Sequence, residues 1–413
     1  MFPFSKRSDR SPKKPRLAIW FRYGPAEHAR LFHAFPRLVE LLSQRYEVHY
    51  WGMRSKEHAD IPASVAARAK IHLLPFSISR ADGRDKTFKT LLWMLLLPLV
   101  AILSLFRGIR YVYIEETIPL GLPVARLFFG KRATMSVADL FLEQHMGGGR
   151  VKNALRKALQ ALDSRAWRKA PFVVARSAAA PAFLAARFGL DARNVFYAHD
   201  AVDFALYAPA PSPEVRGERR RKQGWAASDF VLVFHGLLNP AKDLDTPIDA
   251  LPRALERFPG LRLVLLGNGP EEERLRGKVA ALGLERAVEF HGYTPGETVA
   301  EILSVADAGL VTRRPDDASH LVVTSVLGHC LAAGLPVLAT RTAGIAQLVA
   351  DGENALLFEP GDPDGFLAAL SRLLSDPALR ERLARNGREL ALSSLSVEET
   401  AARNAEPFLT RWP

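Results

Sequence analysis

The chain has 413 residues, 48% of them apolar, and a formal net charge of +12. That length suits two domains of ~200 residues each, and that apolar share excludes wholesale disorder. The single cysteine, Cys330, excludes an internal disulfide and fits a cytoplasmic location, at the inner face of the membrane where lipid is bound. The positive charge is spread along the chain, with no zinc-ligand spacing and no aromatic-basic RNA motif. Nucleic acid is therefore not expected as a partner, and an anionic membrane surface or a phosphate-bearing ligand accounts for the excess better.

Residues 1–15 are basic and lack an apolar core, so they do not form a secretory signal; they read as a disordered leader that touches lipid headgroups. RLAIWF (16–21) reads as a buried strand. A turn at Gly24-Pro25 follows, then a helix from about Glu27 to Ser43, along which Leu31, Phe35, Leu38 and Leu42 fall at helical spacing. EVHYWG, KIHLLPF, YVYIEE, ATMSVAD, FVVARS and NVFYAHD are further strands, with helical patterns between them. The run 91–106 (LLWMLLLPLVAILSLF) falls short of the ~20 residues of a spanning helix and contains Pro98. Lys86, Lys89, Arg107 and Arg110 flank it and suit a segment lying in a membrane interface, while a helix buried in the first domain's core fits equally well. A full span is disfavoured because a strand follows within a few residues.

The alternation of strands and helices gives residues 16–205 as one α/β domain with a parallel sheet. Residues 206–228 carry several prolines and the run RRRK, and read as an interdomain linker. A second series, VLVFHG, LRLVLLG, AVEFHG, AGLVT, PVLAT and ALLFE, builds a second domain over 229–390. Its helices are expected near 244–258, 270–283, 297–306, 325–333, 344–350 and 363–374. Residues 391–413 form a C-terminal helix expected to return to the first domain. Two doubly wound, Rossmann-like domains of this kind face a central cleft at the carboxyl ends of their strands.

Three segments of the second series carry chemistry. In VFHGLLNPAKDL a strand ends at His235-Gly236, where glycine lets backbone approach a ligand, and Lys242 before the next helix can neutralise a diphosphate. The pair Gly267 and Gly269 forms a single GxG rather than a dinucleotide fingerprint, and reads as a structural turn under the cleft. The third segment runs from AVEFHG to PVLAT.

Together these resemble glycosyltransferase family 4, retaining enzymes of the GT-B fold. The resemblance rests on the glycine loop with lysine (235–242), the GxGP turn (267–270) and FxG (290–292). It continues through ADxxLxP (306–313), AAGLPVLAT (332–340) and TAGIAQLVADGENALLFEPGD (342–362). AHDAVDFALYAP (198–209) is similar to the family's approach to its linker. The resemblance implies transfer of a sugar from a nucleotide diphosphate sugar to a glycan or lipid-linked acceptor, in bacterial surface polysaccharide biosynthesis, with retention and without a metal or other cofactor. Lys242 and helix N-terminal amides near Thr324 and Ser325 would face the diphosphate. Gly24, Gly236, Gly292 and Tyr293 would line the donor, and Asp139 and His145 would orient the acceptor hydroxyl. Asp139 as a helix cap and His145 as a surface residue are the plain alternatives.

The departures bear on mechanism. The family's paired glutamates fall at Leu321 and His329; imidazole can still hydrogen-bond a ribose, and leucine cannot replace a carboxylate, though Asp316 or Asp317 could supply one. The arginine after the loop glycine is Leu237, and a late glutamate is Gln347. A nucleotide-sugar-binding or scaffold protein with impaired catalysis is therefore the alternative, and a nucleotide-sugar epimerase a second. Membrane contact is expected through 1–15 and 91–106.

Overall fold

A computed structural model of the chain describes residues 14–56, 58, 60–79, 83–138, 140, 142, 149–314 and 323–412. The first sheet has seven parallel strands: β1 (Arg16–Trp20), β2 (Glu47–Ser55), β3 (Ala69–Ile78), β4 (Tyr111–Ile114), β5 (Ala133–Val137), β6 (Val173–Ala175) and β7 (Val195–Tyr197). Their order is β3-β2-β1-β4-β5-β6-β7, so the winding reverses between β1 and β4. Helices cover both faces, which is why β4 reads as a continuous apolar run and β1 nearly so, and why β5 is buried throughout. β3, which carries Pro75, sits at the edge, where a missing amide costs no ladder bond.

One expected helix is two. Residues 27–43 divide into Pro25–Leu31 and Phe35–Arg45 because Pro36, in the first turn of the second, has no amide to continue the first. The apolar run belongs to a longer helix, Gly83–Phe106, that continues through Pro98.

The second sheet is β8 (Phe230–His235), β9 (Leu261–Leu266), β10 (Val288–Gly292), β11 (Ala308–Val311), β12 (Val337–Thr340) and β13 (Leu356–Phe358), in the order β10-β9-β8-β11-β12-β13, all parallel. Its winding reverses between β8 and β11, and a ligand crevice forms outside the carboxyl ends of strands at such a point. The helix at Pro270 starts at Glu272, after a turn held by the Glu271 amide on the Leu238 carbonyl (3.1 Å).

The stretch 206–228 contains a helix, Pro213–Lys222, fixed to the second domain rather than hanging between the two. Buried Arg220 donates to Asp307 Oδ2 (2.8 Å), to the Val305 carbonyl (3.0 Å) and to the Asp229 carbonyl (2.6 Å). The chain then crosses back: helix Pro377–Ser394 lies on the second domain against helix Ser325–Ala332, and helix Val397–Thr410 packs against Phe35–Arg45 of the first. Phe408 and Trp412 enter the first core against Tyr111, Tyr113 and Phe172. The Tyr46 hydroxyl donates to the Phe408 carbonyl at 2.7 Å.

Candidate functional site

Three loops meet at the carboxyl ends of β8, β9 and β10. The Gly236 amide bonds the Leu266 carbonyl (2.8 Å), the Leu238 amide the Asn268 carbonyl (2.9 Å), and Gly267 bridges Gly292. This contact explains the GxG. Gly267 has φ +145°, and a Cβ there would stand 2.0 Å from the Gly236 carbonyl oxygen; one on Gly269 would stand 2.2 Å from that of Leu238. The two glycines let the loops touch, so they act as a structural turn beneath the site.

Lys242 ends a single 3₁₀ turn, Pro240–Lys242. Asp243, next in the chain, is buried in the left-handed region (φ 48°), and its Oδ2 accepts from Thr246 Oγ1 (2.9 Å) and from the Gly361 amide (3.1 Å). The Arg314 amide donates to the Ala241 carbonyl at 3.0 Å. The lysine-bearing turn is thereby tied to three other parts of the domain. Burial, and after it the charge of nearby Lys242, lower the His235 imidazole to about 3.

His235 begins a ring stack. His329, one turn into helix Ser325–Ala332, lies 5.2 Å from it at 14° and 3.9 Å from Tyr207 at 7°. Burial holds His329 well below the ordinary imidazole value, with His235 and then His33 of the first domain adding to the effect. His235 Nε2, His329 Nδ1 and Asn239 Oδ1 are buried with no hydrogen-bond partner among the described residues. Neutral imidazoles with open nitrogens suit hydroxyl groups, as donors or acceptors according to tautomer. Thr324 precedes the helix without its own side chain making a capping bond, and Val326 of the first turn comes within 3.9 Å of where a Cβ on Gly236 would stand. A helix N-terminus favours an anion.

The structure therefore groups Gly236, Lys242, Gly292, Thr324, Ser325 and His329 around one end of the second sheet. Tyr293 follows Gly292 and is 78% exposed. Gly24 lies across in the first domain, ahead of helix Pro25–Leu31 and against the backbone of Met53 and Ser55. Gln347 is exposed behind a short helix, Ala343–Ala346. Asp139, His145, Leu321, Asp316 and Asp317 fall outside the described residues.

Sequence reasoning missed the first domain's polar cluster. Glu115, at the end of β4, pairs with Arg176, while His28 Nε2 lies 4.0 Å from Glu115 Oε2 and Asp200 Oδ1 3.9 Å from Arg176 Nε. Burial pushes the Glu115 carboxyl up to about 7 against the pull of Arg176. The signal was the pair EE closing an apolar strand at the winding reversal. The Val323 amide on the Arg176 carbonyl (3.5 Å) crosses between the domains, while the Val202 amide bonds the Leu395 carbonyl (2.9 Å) within the second core.

Residues 215–390, fewer than half of the chain, match the family model described as glycosyl transferases group 1. The chain is 32% identical over 208 residues to a D-inositol 3-phosphate glycosyltransferase of Acidothermus cellulolyticus, covering 48% of this chain and 44% of that protein. It is 32% identical over 172 residues to the lipopolysaccharide core biosynthesis glycosyltransferase LpsE of Rhizobium meliloti, covering 38% and 48%. The chain thus spans about half the length of the curated relatives it matches. Among solved structures, Anabaena Alr3699/HepE in complex with UDP-glucose superimposes with a TM-score of 0.69 at 19% identity, over 96% of this chain and 99% of that one. The fold is the two-domain GT-B architecture of glycosyltransferases, and the similarity to glycosyl transferases group 1 lies in its second domain.

Proposed function

We propose that the protein transfers a sugar from a nucleotide diphosphate sugar to a glycan or lipid-linked acceptor in polysaccharide biosynthesis, with retention as in glycosyltransferase family 4. The observation that carries this reading is the grouping of Lys242, the helix start at Thr324 and the glycine loops at one end of the sheet in a domain similar to glycosyl transferases group 1. In this reading the ammonium and the helix amides stabilise the departing diphosphate, a charge that grows toward the transition state. His329 and His235 offer nitrogens to the ribose. Asp139 or His145 orients the acceptor hydroxyl. No divalent ion is needed, so chelator leaves the rate unchanged. The reading places the chain in the cytoplasm, against the inner membrane face through 1–15 and 91–106.

Transfer from UDP- and GDP-sugars to a lipid-extract acceptor tests this. Lys242→Ala is expected to lower turnover about 100-fold while the fold is kept; near-normal transfer by that variant would overturn the lysine's role. A second reading, donor binding without transfer, is favoured by His329 standing where the family has a carboxylate and by the exposed position of Gln347. Thermal stabilisation by a nucleotide sugar with neither hydrolysis nor transfer would select it.

A further inference from the structure

Helix Gly83–Phe106 has two faces of opposite fate. Thr90, Trp93, Leu97, Val100, Ala101 and Ser104 are buried in the first domain. On the other side Phe88, Leu91, Leu95, Leu99, Ile102 and Phe106 form a helical stripe, and Leu95 and Phe106 are 78% and 85% exposed. Single exposed leucines are ordinary, but a continuous apolar stripe marks a contact surface. The helix is not free to leave the domain. It runs into β4, between β1 and β5, and the Arg110 amide bonds the Arg16 carbonyl at 2.9 Å.

The stripe has neighbours. Helix Gly121–Phe129 packs against this helix and in turn against helix Arg150–Arg168. Leu127 is 80% exposed, and Val151, Leu155 and Leu162 lie on one face of the third helix. The charge beside these residues is of one sign. Lys131, Arg132, Arg150, Lys152, Lys157 and Arg165 are exposed. Among the described residues of 83–132 and 149–169, Glu115, Glu116 and Asp163 are buried, and Asp85 is taken by Lys56 and the Ser79 amide.

An apolar stripe flanked by cations, with no free carboxylate among the described residues of these helices, matches an anionic bilayer surface, with side chains reaching the acyl boundary and ammonium groups at the headgroups. A second protein would be expected to offer acids for those cations and to need polar partners for its own rim. We propose that the first domain seats on anionic lipid through these three helices, with Gly83–Phe106 lying in the membrane plane. This deepens the membrane contact of the transfer reading by adding two helices and a lipid class, but its evidence does not depend on that activity.

Co-sedimentation of the full chain with vesicles tests the proposal. Vesicles of phosphatidylcholine with a third phosphatidylglycerol are expected to bind about tenfold more tightly than phosphatidylcholine alone, with binding weakened by salt. Leu95→Glu with Phe106→Glu should abolish binding to both. Lys152→Glu with Lys157→Glu should remove the preference for phosphatidylglycerol. Equal binding of wild type to both vesicles, or none, overturns the proposal. So does a dimer by light scattering that Leu95→Glu dissociates while lipid binding stays absent, since the face then belongs to a second copy. Retention in membranes after carbonate washing also overturns it, in favour of insertion. The thermal shift with a panel of UDP- and GDP-sugars, measured on each variant, confirms folding and reports separately on the donor site; no shift with any of them in the wild type would sink the transfer reading alone.

Discussion

His235 is kept neutral by burial and by the charge of Lys242, with its pKa lowered to about 3. An unfolded chain binds a proton there below about 6.5, so between about 6.5 and 3 the unfolded state holds more protons than the folded one. The stability this group supports is complete above that window and is lost as pH falls through it, by up to roughly 1.4 kcal/mol per pH unit for one site. His28 and His329 are depressed in the same direction, so the wild type should weaken steeply in acid. Urea midpoints at several pH values are expected to show a shallower acid slope for His235→Gln; an unchanged slope would place the lost proton elsewhere. At this scale the sequence displayed the chemistry of single residues but not their company. His235 and His329 lie 94 positions apart, and only folding stacks them.

The glycine loops are the element whose geometry is most demanding. Gly267 must hold φ +145° with its α-carbon against the Gly236 carbonyl, and neither condition admits a side chain. Gly267→Ala is expected to cost about 2–4 kcal/mol and to weaken nucleotide-sugar binding as the 235–242 loop is displaced. Denaturant titration with a thermal shift assay checks both effects. A variant of wild-type stability would mean the loops can separate. The pattern GxG was legible and its structural reading fits this contact. The division of 27–43 into two helices was legible too, in Pro36, but the apolar spacing masked it. The amphipathic period survives a break that preserves the buried face.

For the whole molecule, the last helix is a strap. Val397–Thr410 leaves the second domain and completes the core of the first with Phe408 and Trp412. Deleting residues 397–413 uncovers Tyr46, Tyr111 and Phe172, a loss on the order of several kcal/mol for two buried aromatic residues. The first domain is expected to melt early or aggregate while the second keeps its fold. Calorimetry would read this as a separate low-temperature transition; a single unshifted transition would contradict it. The same strap ties the two domains together, along with the Val323 amide on the Arg176 carbonyl.

Local and periodic information determined most of the architecture. Strand–helix alternation, the Gly and Pro positions and the second domain's loop motifs are properties of short windows, and backbone sterics act within such windows. The pairing of Glu115 with Arg176, the ring stack of Tyr207, His329 and His235, and the outward face of Gly83–Phe106 were decided by tertiary structure. The apolar run 91–106 read equally well as core or membrane surface because composition counts apolar residues without regard to side. Packing against the sheet buried one face of that helix and left the other to solvent.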